Sequence, residues 1–128
     1  MPRVYAEAGT LQRAPKIGNG DCVALVRGIG PLTTRPTFSW REGEKVLGNA
    51  SIRPGTAIAT FVRGRYLNKA TGNHAAFFLR QGINGFWVID QYKGKKRIES
   101  RFLLAQGKNK DGSYHDPSNN ADAFSVIE

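Results

Sequence analysis

Cys22 and His74 are the two residues whose types could do nucleophilic chemistry at neutral pH. Cys22 is the only cysteine in the chain, and His74 is one of two histidines. A thiol with a pKa of about 8.5 is mostly protonated at pH 7, so it becomes a nucleophile only with help. A helix N-terminus supplies about 0.3–1 kcal/mol, and up to about 2 kcal/mol when partly buried. At about 1.36 kcal/mol per unit, that lowers the pKa by a fraction of a unit to about 1.5 units. The rest has to come from a positive neighbour, usually an imidazolium. Without these, a free cysteine is most often a small buried hydrophobe, so the case for Cys22 depends on what the fold brings to it.

His115 sits in the polar run Asp111-Gly112-Ser113-Tyr114-His115-Asp116-Pro117 and reads as a surface residue. His74 opens an apolar run, Ala75-Ala76-Phe77-Phe78-Leu79, behind Gly72-Asn73. A strand starting there holds its first side chain at the rim of a sheet, where a base must stand to serve a helix-borne thiol. A base also needs an orienting partner. Asp90, on the next apolar run, is favoured because a hairpin from His74 to Tyr92 brings its outer ends together, and a carboxylate inside a strand is costly unless paired. Gln91 is the alternative: side chains alternate along a strand, so only one of the two can face the thiol, and register decides which.

The elements that must position these groups follow from pattern. Gly20-Asp21 caps a short apolar run, Cys22 to Val26, stopped at Gly28-Ile29-Gly30-Pro31, which describes a short buried helix with Cys22 in its first turn. Residues Thr37 to Leu47, around Trp40, read as a second helical or turn segment. Strands are expected at Thr56–Val62, His74–Arg80, Phe86–Tyr92, Arg97–Leu104 and Ala123–Ile127, from β-branched and aromatic runs bounded by turn residues. The first twenty residues read as a lead-in with little regular structure. The loops at 33–40 and 107–120 are expected near the cleft. One helix followed by an antiparallel sheet of five to six strands is an α+β layout.

The chain has 128 residues, which fits a single domain over 1–128. A single cysteine forms no disulfide within the chain, so the fold is indifferent to redox compartment. The start, Met1-Pro2-Arg3-Val4-Tyr5, lacks the apolar run of a secretory signal, and no stretch approaches the roughly 20 apolar residues of a membrane span. Cysteine and histidine fall at no metal-ligand spacing, and no cofactor is expected. The net charge of +9, from 19 basic and 10 acidic residues, favours polyanions such as nucleic acid, anionic lipid or bacterial wall polymers. The one dense basic run, Lys93, Lys95, Lys96 and Arg97, reads as a solvated turn in preference to a reading head.

Four segments carry a resemblance. Gly18-Asn19-Gly20-Asp21-Cys22-Val23-Ala24-Leu25-Val26 resembles the stretch that opens the catalytic helix of NlpC-type and CHAP-type amidases. Pro54-Gly55-Thr56-Ala57-Ile58 is similar to their Pro-Gly-Asp strand, with Thr56 in place of Asp. Gly72-Asn73-His74-Ala75-Ala76 resembles their Gly-His strand, with one residue inserted. Val88-Ile89-Asp90-Gln91-Tyr92 resembles the CHAP strand whose Glu orients the histidine; Asp90 stands at the Glu and Tyr92 replaces an Asn. The resemblance implies a papain-like core and hydrolysis of an amide in bacterial peptidoglycan stem peptides. It assigns Cys22 as nucleophile, His74 as base and Asp90 as orienter, with Asp21, Gln91 and Tyr92 in support and the Cys22 backbone N–H in the oxyanion hole. By analogy with wall-degrading effectors passed into rival bacteria, it also implies synthesis in the cytoplasm, export by a specialised secretion route and a cognate immunity protein.

Two other functions share these features. A Cys-His-Asp site on such a core also serves deamidases, transglutaminases and acyltransferases acting on proteins. A non-enzymatic basic module binding wall or nucleic acid would use the charge and Trp40, Tyr66, Trp87 and Tyr92. No nucleic-acid-binding motif accompanies the charge, which disfavours that partner.

Overall fold

The computed structural model describes residues 2–128 and has an α+β architecture. One helix, α1 (Cys22–Gly28), packs on a six-stranded sheet formed by β1 (Glu42–Lys45), β2 (Ala57–Thr60), β3 (Ala75–Gly82), β4 (Gly85–Asp90), β5 (Glu99–Leu104) and β6 (Phe124–Ile127). The strand order is β1-β6-β2-β3-β4-β5, and every neighbouring pair is antiparallel.

Both faces of this sheet are covered. Leu25, Val26, Trp40, Ala57, Ala59, Phe77 and Ile89 form one core with the helix. Ile58, Phe78, Phe86, Val88, Phe124 and Val126 form a second on the opposite face. Alternation explains the division: Phe77 and Ile89 are register partners on one side, Phe78 and Val88 on the other. Strands β2 and β6 are buried along their whole length because they sit inside the sheet with both faces covered.

Helix α1 begins where the sequence predicts it. Asp21 is its N-cap, and its carboxylate accepts a hydrogen bond from the Ala24 N–H at 2.8 Å. Gly20, just before the cap, has φ +88°, and a Cβ there would lie 2.7 Å from the Lys16 side chain. That turn delivers Cys22 to the first helical position.

Two expectations are corrected. The helical or turn segment expected over Thr37–Leu47 is a 3₁₀ turn only at Thr37–Ser39, which leads into β1, whose Glu42 and Lys45 pair with Ile127 and Ser125. The edge position explains why this strand was invisible, since Glu42-Gly43-Glu44-Lys45 carries no apolar alternation. The lead-in is also more ordered than its composition suggests. It holds a 3₁₀ turn over Ala8–Leu11 with Ala8 fully buried, and Val4 bridges to Thr56.

Candidate active site

The site lies where the start of α1, the residue before β3 and the end of β4 converge at the rim of the sheet. His74 is held by its backbone: its N–H donates to Thr60 Oγ1 at 3.0 Å, and its carbonyl accepts from the Thr60 N–H at 3.0 Å. The residue is 4% exposed, and its ring stands edge-on to Tyr92 and to Phe124, with centroids 6.3 Å away in each case. Its Nε2 lies 2.7 Å from Asp90 Oδ2. A carboxylate can only accept, so Nε2 carries the proton, and Nδ1 is the nitrogen left for the thiol.

Asp90 and Gln91 turn opposite ways. Asp90 is fully buried and turns to His74. Gln91 turns the other way: its amide donates to the carbonyls of Ile17 and Asp21 at 2.9 and 2.7 Å and accepts from the Ile17 N–H at 2.9 Å. Gln91 thereby fastens the loop that delivers the helix start. Tyr92 contributes its ring beside His74, and its carbonyl accepts from Lys16 Nζ at 2.8 Å. Asp21 serves as helix cap.

Charge follows this geometry. Burial pushes the Cys22 thiol up, but the hydrogen bond and positive charge of His74, with the Ala75 N–H and Tyr66 hydroxyl, outweigh it and bring the thiol below its ordinary value. Burial pushes His74 down, but Asp90 and Cys22 outweigh it and raise the imidazole above its ordinary value. Both shifts favour a thiolate–imidazolium pair. Burial would likewise raise Asp90, yet His74, Arg101 and Lys95 hold it well below the usual carboxylate range.

Sequence reasoning missed three members of this neighbourhood. Tyr66 places its hydroxyl 3.8 Å from Cys22 Sγ, and burial together with the adjacent thiol raises its pKa so that it stays protonated. Lys95 and Arg101 donate to Asp90 at 2.7 and 2.8 Å. Lys95 therefore departs from the reading of its basic run as a solvated turn; its side chain is buried on a carboxylate. Tyr66 and Arg101 come from a loop and a far strand, so no local spacing announces them. Lys95, five residues after Asp90, could have been suggested by the need to pair a buried carboxylate.

An open cleft of about 660 Å³ exposes the thiol. Its walls include Cys22, His74, Lys69, Asn73, Lys93 and Asn119. Of the two loops expected there, 107–120 reaches the cleft through Asp116, Ser118 and Asn119, while the segment 69–73 occupies the place anticipated for 33–40. His115 lies in the exposed loop, bonded through Nδ1 to Asn109 Oδ1 at 3.2 Å. Trp40 and Tyr66 are buried, so they offer no stacking platform of the kind a nucleic-acid module needs. Among the described residues, no group of three or more His, Cys, Asp or Glu side chains could hold a metal ion.

A family model described as Domesticated amidase effector 2 matches residues 7–127. The chain is 45% identical to a type VI secretion amidase effector 2 protein of Salmonella typhi, over the full length of both. It is 39% identical to Domesticated amidase effector 2 of Ixodes scapularis, covering 84% of this chain and 70% of that one. A solved structure of a type 6 secretion amidase effector 2 superposes with a TM-score of 0.89 at 44% identity, covering 98% of this chain and 93% of the other. The fold and the expected kinship with small papain-like amidase effectors agree with these matches, and the chain belongs to the Domesticated amidase effector 2 family of amidases.

Proposed function

We propose that this chain is an antibacterial effector that hydrolyses an amide bond in the peptide stems of bacterial peptidoglycan, with Cys22 as nucleophile, His74 as acid and base, and Asp90 as orienter. The observation that carries the residue assignment is the buried His74–Asp90 pair at 2.7 Å beside a thiol drawn below its ordinary pKa. The amidase effector names of the relatives support the reaction and the role.

The Cys22 thiolate attacks the amide carbonyl, and the oxyanion forms beside the helix start. The Cys22 N–H, in the first turn, has no intrahelical acceptor. The Tyr66 hydroxyl, protonated at neutral pH and close to Sγ, is the second donor proposed for the oxyanion. His74 passes its proton to the leaving amine, the acyl group stays on sulfur, and neutral His74 then takes a proton from the water that attacks the thioester. Asp90 keeps Nε2 protonated throughout, so Nδ1 remains the working nitrogen.

Residues 1–128 act as one domain in this reading. The type VI relatives support export through that secretion route, and delivery of a wall hydrolase between cells calls for an immunity protein that blocks the cleft in the producer.

The test is digestion of purified peptidoglycan by the wild type and by Cys22→Ala, with soluble products read by mass spectrometry. New stem-peptide ends from the wild type alone are expected, and they identify the bond. Equal release by both proteins, or by neither while a protein glutamine is deamidated, contradicts the proposal.

A further inference from the structure

Two basic side chains are gathered on the one buried carboxylate of the site. Lys95 Nζ donates to Asp90 Oδ1 at 2.7 Å, while Oδ2 accepts from both Arg101 Nε at 2.8 Å and His74 Nε2 at 2.7 Å. Neither cation is free to leave. Lys95 also donates to the Glu99 carbonyl at 2.9 Å, and Arg101 donates to Asn119 Oδ1 at 2.7 Å. Their side chains are 9% and 23% exposed. A single carboxylate would suffice to hold the imidazole tautomer, and a single cation would neutralise it.

The groups facing His74 come from several elements. Cys22 faces it from α1 with the Tyr66 hydroxyl beside its Sγ, Asp90 and then Tyr92 face it from the end of β4, and Lys95 from the turn and Arg101 from β5 reach Asp90 behind it. Asp21, Lys69, Lys93 and Asp116 line the same open cleft. Leaving the thiol aside, the buried ionic set of Asp90, Lys95 and Arg101 already carries a net positive charge before His74 is protonated.

We propose that Lys95 and Arg101 are positioning residues that set the basicity of His74 through Asp90, so that its imidazolium persists only opposite a Cys22 thiolate. Burial pushes the ring down, and Cys22 supplies part of the upward pull that offsets it. Acylation converts the thiolate to a neutral thioester, and that part vanishes. The imidazolium, now facing net positive charge, gives its proton to the leaving amine as the C–N bond breaks. Neutral His74 is then available to take one proton from water, whose oxygen adds to the thioester carbonyl. The acid departs with the other proton, and the thiolate and imidazolium are restored together. Without the cations, the neutral His74 left by acylation would be reprotonated from solvent, and deacylation would wait.

The inference rests on the reading of Cys22, His74 and Asp90 as the catalytic set, and its test is separable from the choice of substrate. The rate of Cys22 alkylation by iodoacetamide is measured against pH for the wild type, Lys95→Met, Arg101→Met, and the charge-keeping Lys95→Arg and Arg101→Lys. The neutral variants should shift the thiolate midpoint upward by about one pH unit, and the charge-keeping ones should leave it near the wild type. A midpoint unmoved in a folded neutral variant, or moved equally by charge-keeping ones, overturns the proposal. Where the neutral variants do not fold, the wild type decides. After carbamidomethylation of Cys22, His74 should titrate by NMR below its ordinary 6.5, and titration at or above that value refutes the proposal. Failure of the wild type to digest peptidoglycan would sink the substrate reading and leave both measurements standing.

Discussion

A thiol left to itself is a poor nucleophile at neutral pH, and what changes Cys22 is a set of contacts that no single stretch of sequence contains. The imidazole comes from the residue before β3, the carboxylate from the end of β4 and the phenol from a loop between β2 and β3. At this scale the sharpest prediction concerns Tyr66. Tyr66→Phe keeps the ring packed against Trp40, with centroids 5.0 Å apart, and removes only the hydroxyl beside Sγ. Loss of an oxyanion donor lowers kcat by about 10²-fold, with KM little changed, and steady-state kinetics on a stem peptide reads the split. Equal kcat in the two proteins removes Tyr66 from the oxyanion hole. That His74 and Asp90 would meet beside Cys22 was legible because chemistry demands a base and an orienter once a nucleophile is suspected. Tyr66, Lys95 and Arg101 were not, because their roles depend on distances between segments that pattern does not encode.

Elements carry the next layer. The loop ahead of α1 has little regular structure, yet it must deliver the helix start to within reach of His74. Gln91 does the fastening, with one side chain making three hydrogen bonds to Ile17 and Asp21. Gln91→Ala leaves those backbone groups without partners, and it should destabilise the fold by about 2 kcal/mol. Because the loop also carries the helix cap, activity should fall further than the loss of folded protein accounts for, as paired denaturation and activity measurements would reveal. A variant as active per folded molecule as the wild type would reduce Gln91 to a purely structural tie. The helix, its cap and the inner strands were readable from apolar runs and glycine stops. Strand β1 was not, since an edge strand of Glu42-Gly43-Glu44-Lys45 is held by pairing with β6 and not by its own apolar pattern.

At the scale of the whole molecule, charge links the site to both stability and substrate. Asp90 has its pKa lowered from an ordinary 3.8, so the unfolded chain binds more protons than the fold as the pH drops. Its contribution is complete above about pH 4 and declines below that. Asp90→Asn leaves Lys95 and Arg101 beside a neutral amide, costs about 3 kcal/mol at pH 6, and should flatten the acid limb of stability. Urea midpoints at pH 6 and pH 3 measure both effects, and parallel acid limbs would show that the ionic cluster is not linked to folding. The net charge of +9 predicts a second dependence. Release of fragments from intact, anionic wall should slow markedly as salt rises from about 0.05 to 0.5 M, while cleavage of a small neutral peptide should change little. Identical salt responses would mean that the basic surface plays no part in reaching the wall.

Because Cys22 is the only cysteine, alkylation of this chain with sub-stoichiometric iodoacetamide is a titration of one atom. Intact-protein mass gives the labelled fraction, and peptidoglycan release by the same samples gives the activity. Activity should fall in direct proportion to labelling and reach zero at one adduct per chain. Fully labelled protein that still releases stem-peptide fragments would contradict Cys22 as the nucleophile.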